Sequence, residues 1–225
     1  MSEYLGKLTE VEGLDGCGKS TQVIALGKRL DSLGIQRVIT REHWPEDILG
    51  QAIHAVVEIK EAKLDSTALQ LTFVGNRINH TIVQIIPALK KGLNVFSDRY
   101  LESTLAYADD QDRPIVIALT EMLITRGKIL RPDLSILIDV PAEEAMKRLG
   151  IRKAGTASGE SDTSKVGRQS IFEKEQKLKR VRQNYLERFG CGAENKVIVS
   201  GLGSEEEVQM RIRRVLLAHK IYKEL

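Results

Sequence analysis

The chain has 225 residues, 42 % of them hydrophobic and 29 % charged, which is enough for one domain with a sizeable core. Its formal net charge of +3 suits small anionic ligands and gives no reason to invoke a nucleic-acid partner. With no 18-residue apolar run, no targeting segment and only two cysteines, Cys17 and Cys191, it reads as a cytoplasmic protein with no membrane association and no disulfide framework.

In chain order, a first strand over Leu8–Val11 runs into Gly13-Leu-Asp-Gly-Cys-Gly18-Lys19-Ser20, which fits the P-loop pattern Gly-x4-Gly-Lys-Ser/Thr. Backbone N–H groups from Gly13, Gly16, Cys17, Gly18 and Thr21 cradle phosphate oxygens in such a loop, and the helix that follows, Thr21–Leu33, adds its positive dipole end. Lys19 reaches the outer phosphates of ATP and the Ser20 hydroxyl holds Mg²⁺. Cys17 is a small filler whose place beside Lys19, near a helix N-terminus, predicts a lowered thiol pKa and reactivity towards thiol reagents.

Further strands are expected at Arg37–Thr40, Leu93–Ser97, Leu134–Ile138 and Val197–Val199. Helices are expected at Ile48–Ile59, Ser66–Lys90, Pro114–Thr125, Ala142–Leu149, Phe172–Arg188 and Glu205–His219. Asp110 and Asp112 are candidate caps before Pro114, and Ser204 with Glu207 resembles a capping box. The alternation predicts an α/β, P-loop three-layer sandwich: a five-stranded parallel sheet with helices on both faces. Gly150 to Gly167 breaks the pattern with four glycines, Arg152, Lys153 and Lys165 and almost nothing apolar. It reads as a mobile lid insertion, about 150–169, in a single domain spanning 1–225, a disordered insertion being the alternative.

Asn94-Val-Phe-Ser-Asp98-Arg99-Tyr100 ends an apolar strand in an acid and a base. Asp98 is then a candidate to meet Mg²⁺, directly or through water, and Arg99 to grip a second phosphate; a local pair is the alternative.

Taken together, the residues resemble the thymidylate kinases among the nucleoside monophosphate kinases. The loop Glu12-Gly-Leu-Asp-Gly-Cys-Gly-Lys-Ser-Thr-Gln22, the block Asp98-Arg-Tyr-Leu-Glu-Ser103-Thr-Leu-Ala-Tyr107, and Phe73-Val-Gly-Asn-Arg77 carry the likeness. Arg131-Pro-Asp-Leu-Ser-Ile-Leu-Ile-Asp-Val-Pro141 and Arg180-Val-Arg-Gln-Asn-Tyr-Leu186 extend it. The resemblance implies transfer of the ATP γ-phosphate to dTMP, with Mg²⁺ as cofactor, in a homodimer formed through long helices such as Ser66–Lys90. By position it implies that Asp15 accepts from the nucleotide 3′-OH and that Arg41 and Arg99 bind the acceptor phosphate. It has Phe73 stacking on the base, Arg77 donating to thymine O4, Ser103 lining the base pocket, Tyr107 against the deoxyribose and Phe172 as a further aromatic contact. Lys19, Arg99, Asp15 and a lid cation make up the catalytic set. Some members of the family carry an arginine at the P-loop position of Gly16; here a lid cation is required, from Arg148, Arg152, Lys153 or Arg168, with Arg152 first.

Two departures stand out: Arg41-Glu-His-Trp-Pro45 follows the second strand, with Trp44 as loop packing, and Ser170-Ile171-Phe172-Glu173 lacks the acid and arginine usual there. The alternatives are a kinase for another nucleoside monophosphate or a deoxynucleoside, or a non-catalytic nucleotide-binding module.

Overall fold

All five expected strands form: β1 (Leu8–Glu12), β2 (Arg37–Arg41), β3 (Asn94–Asp98), β4 (Leu134–Asp139) and β5 (Lys196–Ser200). The computed structural model describes residues 4–58, 65–156 and 165–225. The strands make one parallel sheet in the order β2-β3-β1-β4-β5, with Thr9 opposite Phe96 on one side and Leu134 on the other. Because β2 and β3 lie to one side of β1 and β4 and β5 to the other, the connections diverge and a crevice opens at the carboxyl end of β1, where the P-loop lies.

Side chains alternate across the sheet. Val11 and Phe96 pack with Val23, Leu26 and Leu30 of α1 (Lys19–Ser32) and with Val208, Ile212 and Leu216 of α9 (Glu205–Ala218). The opposite face carries Leu8 and Val95, packed with Val74 of α3 (Ser66–His80) and Leu89 of α4 (Ile86–Lys90). Helix α2 (Ile48–Glu58) packs on α3, while α8 (Lys165–Phe189) packs against α7 (Ala142–Thr156) and the β4–β5 edge. The expected Ser204 capping box is present, with Glu207 N–H donating to Ser204 Oγ (3.3 Å) and Ser204 N–H to the Glu207 carboxylate (2.7 Å).

Four elements differ from the sequence expectation. The helix over Ser66–Lys90 is interrupted by a π-helical turn, Thr81–Ile85. Pro87 has no N–H to give, and its ring crowds the carbonyl one turn back, so the ladder widens ahead of it. Asp112 does not cap α6 (Arg113–Thr125) with its side chain. Its carboxylate instead accepts from Ser66 Oγ and from Thr67 Oγ1 (2.6 Å), tying α6 to α3. Helix α7 continues past Leu149, because the helix formers of 151–154 outweigh glycines that cost about 1 kcal/mol each. It ends at Thr156, and α8 begins at Lys165; the remainder of the segment read as a lid, 157–164, lies outside the described residues.

The fourth difference is a helix absent from the expectation, α5 (Leu101–Tyr107). Its cap residue, Tyr100, makes no side-chain cap bond. The exposed N–H groups are satisfied from β1: Glu10 Oε2 accepts from Leu101 N (2.8 Å) and Glu102 N (3.3 Å), and Glu12 Oε1 accepts from Tyr100 N (2.8 Å) and Ser103 N (3.1 Å). A cap supplied some 90 residues away in sequence has no local signature. Burial, then the Glu12 and Glu102 carboxylates, push Glu10 well above the usual carboxylate range. Glu102 is held by Arg188 (2.5 Å) and Lys196 (2.7 Å).

Candidate active site

The loop between β1 and α1 is built on glycine backbone. Gly13, Gly16 and Gly18 all have positive φ, at 142°, 87° and 103°. A Cβ on Gly13 would meet Ile138 O at 2.6 Å and one on Gly16 would meet Ala145 O at 2.5 Å, so the loop lies directly on β4 and α7. Gly18 caps α1 without a side chain, leaving the first N–H groups of the helix facing a cavity. Lys19 is buried and its Nζ donates to Gly13 O (3.0 Å) and Leu14 O (2.8 Å); burial, then the nearby Arg99 charge, lower its pKa. Ser20 Oγ donates to Asp98 Oδ2 at 2.5 Å.

The cavity, of about 290 Å³, is lined by Asp15, Gly16, Gly18, Lys19, Ser20 and Thr21 from the loop and α1. Arg41 and Glu42 from the end of β2, Asp98 and Arg99 from the end of β3, and Leu149 of α7 complete it. Gly13 and Cys17 are not among its lining residues.

The reactivity expected of Cys17 is corrected. Its side chain is 2 % exposed and belongs to the core beneath the loop, with Sγ 2.7 Å from where a Gly13 Cβ would sit. Although Lys19 Nζ lies 3.9 Å from the sulfur, a reagent does not reach a thiol buried among packed side chains.

Arg99 is the hub of a cluster at the other side of the cavity. Its backbone is left-handed (φ 69°). Nη1 donates to Ser103 Oγ (2.8 Å) and Tyr185 OH (3.3 Å), and Nη2 to Asp15 Oδ1 (2.7 Å) and Tyr107 OH (3.3 Å). Tyr107 OH in turn reaches Asp15 Oδ2 at 3.4 Å, so Asp15, Arg99, Ser103 and Tyr107 form one cluster. Burial opposes the Arg99 charge, but the Tyr107, Tyr185, Asp15 and Glu12 side chains hold its pKa well above the ordinary value. Asp15 is lowered: burial works against this, and Arg99 and Lys19 outweigh it.

Arg77 lies deeper, on α3, and is 1 % exposed. Its Nε and Nη2 donate to Glu42 Oε2 (2.8 and 2.5 Å), and Nη2 also to Thr104 Oγ1 (2.5 Å). Nη1 is buried with no partner among the described residues. Glu42 is lowered in spite of burial, chiefly by Arg77, and Arg77 is raised by the same pair. Glu42 Oε1 also meets His80 Nδ1 (3.4 Å), and His80 stacks on Trp44 at 5.4 Å. Trp44 is loop packing as expected, since its backbone is fastened at both ends to the Asn76 amide (2.7 and 2.9 Å). Phe73 is half-buried, with its ring 5.9 Å from that of His43.

Arg148, one of the four candidate lid cations, is paired with Glu144 (2.7 Å) and reaches Cys17 O (3.4 Å) and Gly201 O (3.2 Å). The side chains of Arg152, Lys153, Arg168 and Phe172 lie outside the described residues. Sequence reasoning assigned no role to Glu12, Glu42, Thr104 or Tyr185. All four stand inside quoted motifs or beside them, but only their burial and mutual distances show that they hold the arginines.

Ser20 Oγ and Asp98 are hard oxygen donors that could hold a divalent ion. Among the described residues no group of three or more His, Cys, Asp and Glu side chains could hold a metal. Such a site suits Mg²⁺, which keeps water and shares its remaining positions with phosphate oxygens.

A family model described as thymidylate kinase matches residues 11–212. The thymidylate kinase of Geobacter sp. (strain M21) is 29 % identical over 216 residues, covering 94 % of this chain and 92 % of its own length. That of Neisseria gonorrhoeae (strain NCCP11945) is 32 % identical over 213 residues, with 93 % and 95 % covered. That of Syntrophotalea carbinolica is 34 % identical over 207 residues, with 90 % and 91 % covered.

Proposed function

The chain belongs to the thymidylate kinase family and is a nucleoside monophosphate kinase that phosphorylates dTMP; we propose that it carries the γ-phosphate of ATP to dTMP, giving ADP and dTDP, across the cavity between the P-loop and Arg99. The observation that supports this route most is convergence. Loop N–H groups, Lys19, the Ser20–Asp98 pair, Arg41 and Arg99 all border one space.

The loop amides from Gly13 to Thr21 bind the donor phosphates, and Lys19 exchanges the Gly13 and Leu14 carbonyls for the outer phosphates. Ser20 and Asp98 would hold Mg²⁺, which would supply positive charge to the phosphates. Arg99 and Arg41 draw the acceptor phosphate into line and offset its repulsion from the γ-phosphate. No general base is required, because a phosphate oxygen is already a competent nucleophile at neutral pH. Gly16 brings no charge, so the transition-state cation comes from the lid segment 150–169 of a single domain spanning 1–225. With Arg148 tied to Glu144, Arg152 is the first candidate, ahead of Lys153 and Arg168.

On the acceptor side, Asp15 takes the 3′-OH, Tyr107 crowds the deoxyribose, and Ser103, Phe73 and Phe172 border the base. Arg77, fixed by Glu42, presents Nη1 to thymine O4. We place the enzyme in the cytoplasm as a homodimer, assembled through the stretch Ser66–Lys90, where Leu71 of α3 and Ile82 and Val83 of the π-helical turn are exposed. Among the described residues no helix is long and apolar enough to cross a membrane.

A coupled ADP-release assay with dTMP, dUMP, dCMP, UMP and thymidine tests the reading. Turnover is expected with dTMP and weakly with dUMP. Preference for another acceptor points to a different monophosphate kinase, and binding without turnover points to a non-catalytic module.

A further inference from the structure

We propose that Glu12, the last residue of β1, is a positioning residue for Arg99: its carboxylate sets the direction of the Ser103 and Tyr185 hydroxyls and so makes both of them acceptors for the guanidinium. The proposal rests on the reading of Arg99 as an acceptor-phosphate arginine and adds the group that aims it.

Glu12 is fully buried. Its Oε1 is taken by two backbone donors, Tyr100 N (2.8 Å) and Ser103 N (3.1 Å). Both lie just after Arg99, whose left-handed backbone is uncommon for a long side chain and persists only where the adjoining chain is pinned. Oε2 lies 2.5 Å from Ser103 Oγ and 2.8 Å from Tyr185 OH. Each hydroxyl owns one proton and a carboxylate oxygen can only accept; the hydroxyls also lie 2.9 Å from each other, but a bond to the charged oxygen is the stronger one, so both protons turn towards Glu12. Their lone pairs are then left for Arg99 Nη1, which lies 2.8 Å from Ser103 Oγ and 3.3 Å from Tyr185 OH. Burial, then the Glu12 charge, push Tyr185 well above the ordinary tyrosine range, which keeps its proton in place. One edge of the guanidinium is thereby fixed through Glu12, and the other is held by Asp15 and Tyr107.

Glu12→Gln reverses this polarity at constant shape. The two backbone N–H groups can only donate, so the Gln carbonyl must take the Oε1 place. Its NH₂ is then forced against the two hydroxyls, each of which spends a lone pair on the amide; they lie 2.9 Å apart, so one proton is absorbed between them and the other is left facing Nη1. An arginine facing a donor shifts away, and a misplacement of about 1 Å costs on the order of 100-fold in rate.

The test uses the full chain. Glu12→Gln is expected to weaken calorimetric binding of dTMP and to lower kcat/KM for dTMP about 100-fold, with the KM for ATP held within about threefold. Tyr185→Phe alone is expected to cost about tenfold, and to cost at most about twofold more in the Glu12→Gln background, where the hydroxyl no longer accepts. A packing role alone would lower the melting temperature without separating the two substrates or coupling the two positions. Glu12→Gln within about threefold of the unsubstituted protein overturns the proposal, as does equal loss of ATP and dTMP affinity, or full multiplication of the two effects. Should Glu12→Gln fail to fold, Tyr185→Phe and Ser103→Ala decide, since each must weaken dTMP binding with unchanged KM for ATP. An unsubstituted protein that binds no dTMP overturns the acceptor reading and this proposal with it. One that binds dTMP but tolerates Glu12→Gln overturns this proposal alone.

Discussion

Substituting Glu42→Gln isolates the physical cost of Arg77, the buried arginine proposed to face the base. The side chains of Arg77 and Glu42 are 2 % and 6 % exposed and share contacts at 2.5 and 2.8 Å. The amide keeps the shape and one acceptor but removes the charge that offsets a buried guanidinium. Breaking one partner of such a pair costs about 3–5 kcal/mol. For a chain of this size each kcal/mol is worth about 2–4 °C, so the melting temperature should fall by about 6–20 °C. The sharper expectation concerns the double variant Glu42→Gln/Arg77→Met. With no charge left to desolvate, it should recover part of the loss and be more stable than Glu42→Gln alone. Urea unfolding at pH 7 measures both, with equal slopes confirming that the same transition is compared. A double variant less stable than the single would refute the argument, because the loss would then come from packing and hydrogen bonds rather than from uncompensated charge.

The pH dependence has a definite sign. The folded-state pKa of Glu42 is depressed, so its contribution is complete above the unfolded value of about 4.5 and is lost as pH falls through the lower folded value. Glu42→Gln should therefore flatten the acid limb of the stability curve.

Lys19→Ala should leave a folded protein, by circular dichroism, whose turnover falls by at least about 100–1000-fold, since one charge-stabilising donor is removed from the reacting phosphates. The acceptor pocket should discriminate dTMP from dCMP by up to about 10⁴-fold in kcat/KM, because Arg77 Nη1 can only donate and cytosine presents an amino group there. The dUMP penalty should be only about 1–3 kcal/mol, the value of one methyl, so equal use of dCMP would remove Arg77 from base reading. Native protein should leave Cys17 unmodified by a charged maleimide while exposed Cys191 reacts, as read by mass spectrometry of peptides; rapid labelling of Cys17 would contradict its place in the core.

The five strands and the phosphate loop were legible in the chain because their signals are local. A parallel strand buried on both faces needs a short apolar run. A loop that wraps phosphate needs glycine at positions of positive φ followed by Lys-Ser. Asp98 and Arg99 were visible for the same reason, standing where an apolar strand stops. What holds those residues was not visible. Glu10 and Glu12 sit in an otherwise apolar strand and act on a helix some 90 residues away, so α5 itself carried no cap to read. Glu42 stands next to Arg41 in sequence but neutralises Arg77, 35 positions on, and Tyr185 reaches Arg99 from the far end of α8. The reactivity of Cys17 was misread because sequence records its adjacency to Lys19, whose Nζ does lie 3.9 Å from Sγ, whereas the burial of the thiol is set only when the loop settles on the core. Residues that touch ligand are announced by their own chemistry. Residues that aim them depend on which buried donors and acceptors the folded chain leaves unpaired, and that balance exists only once the sheet, α3, α5 and α8 are packed together.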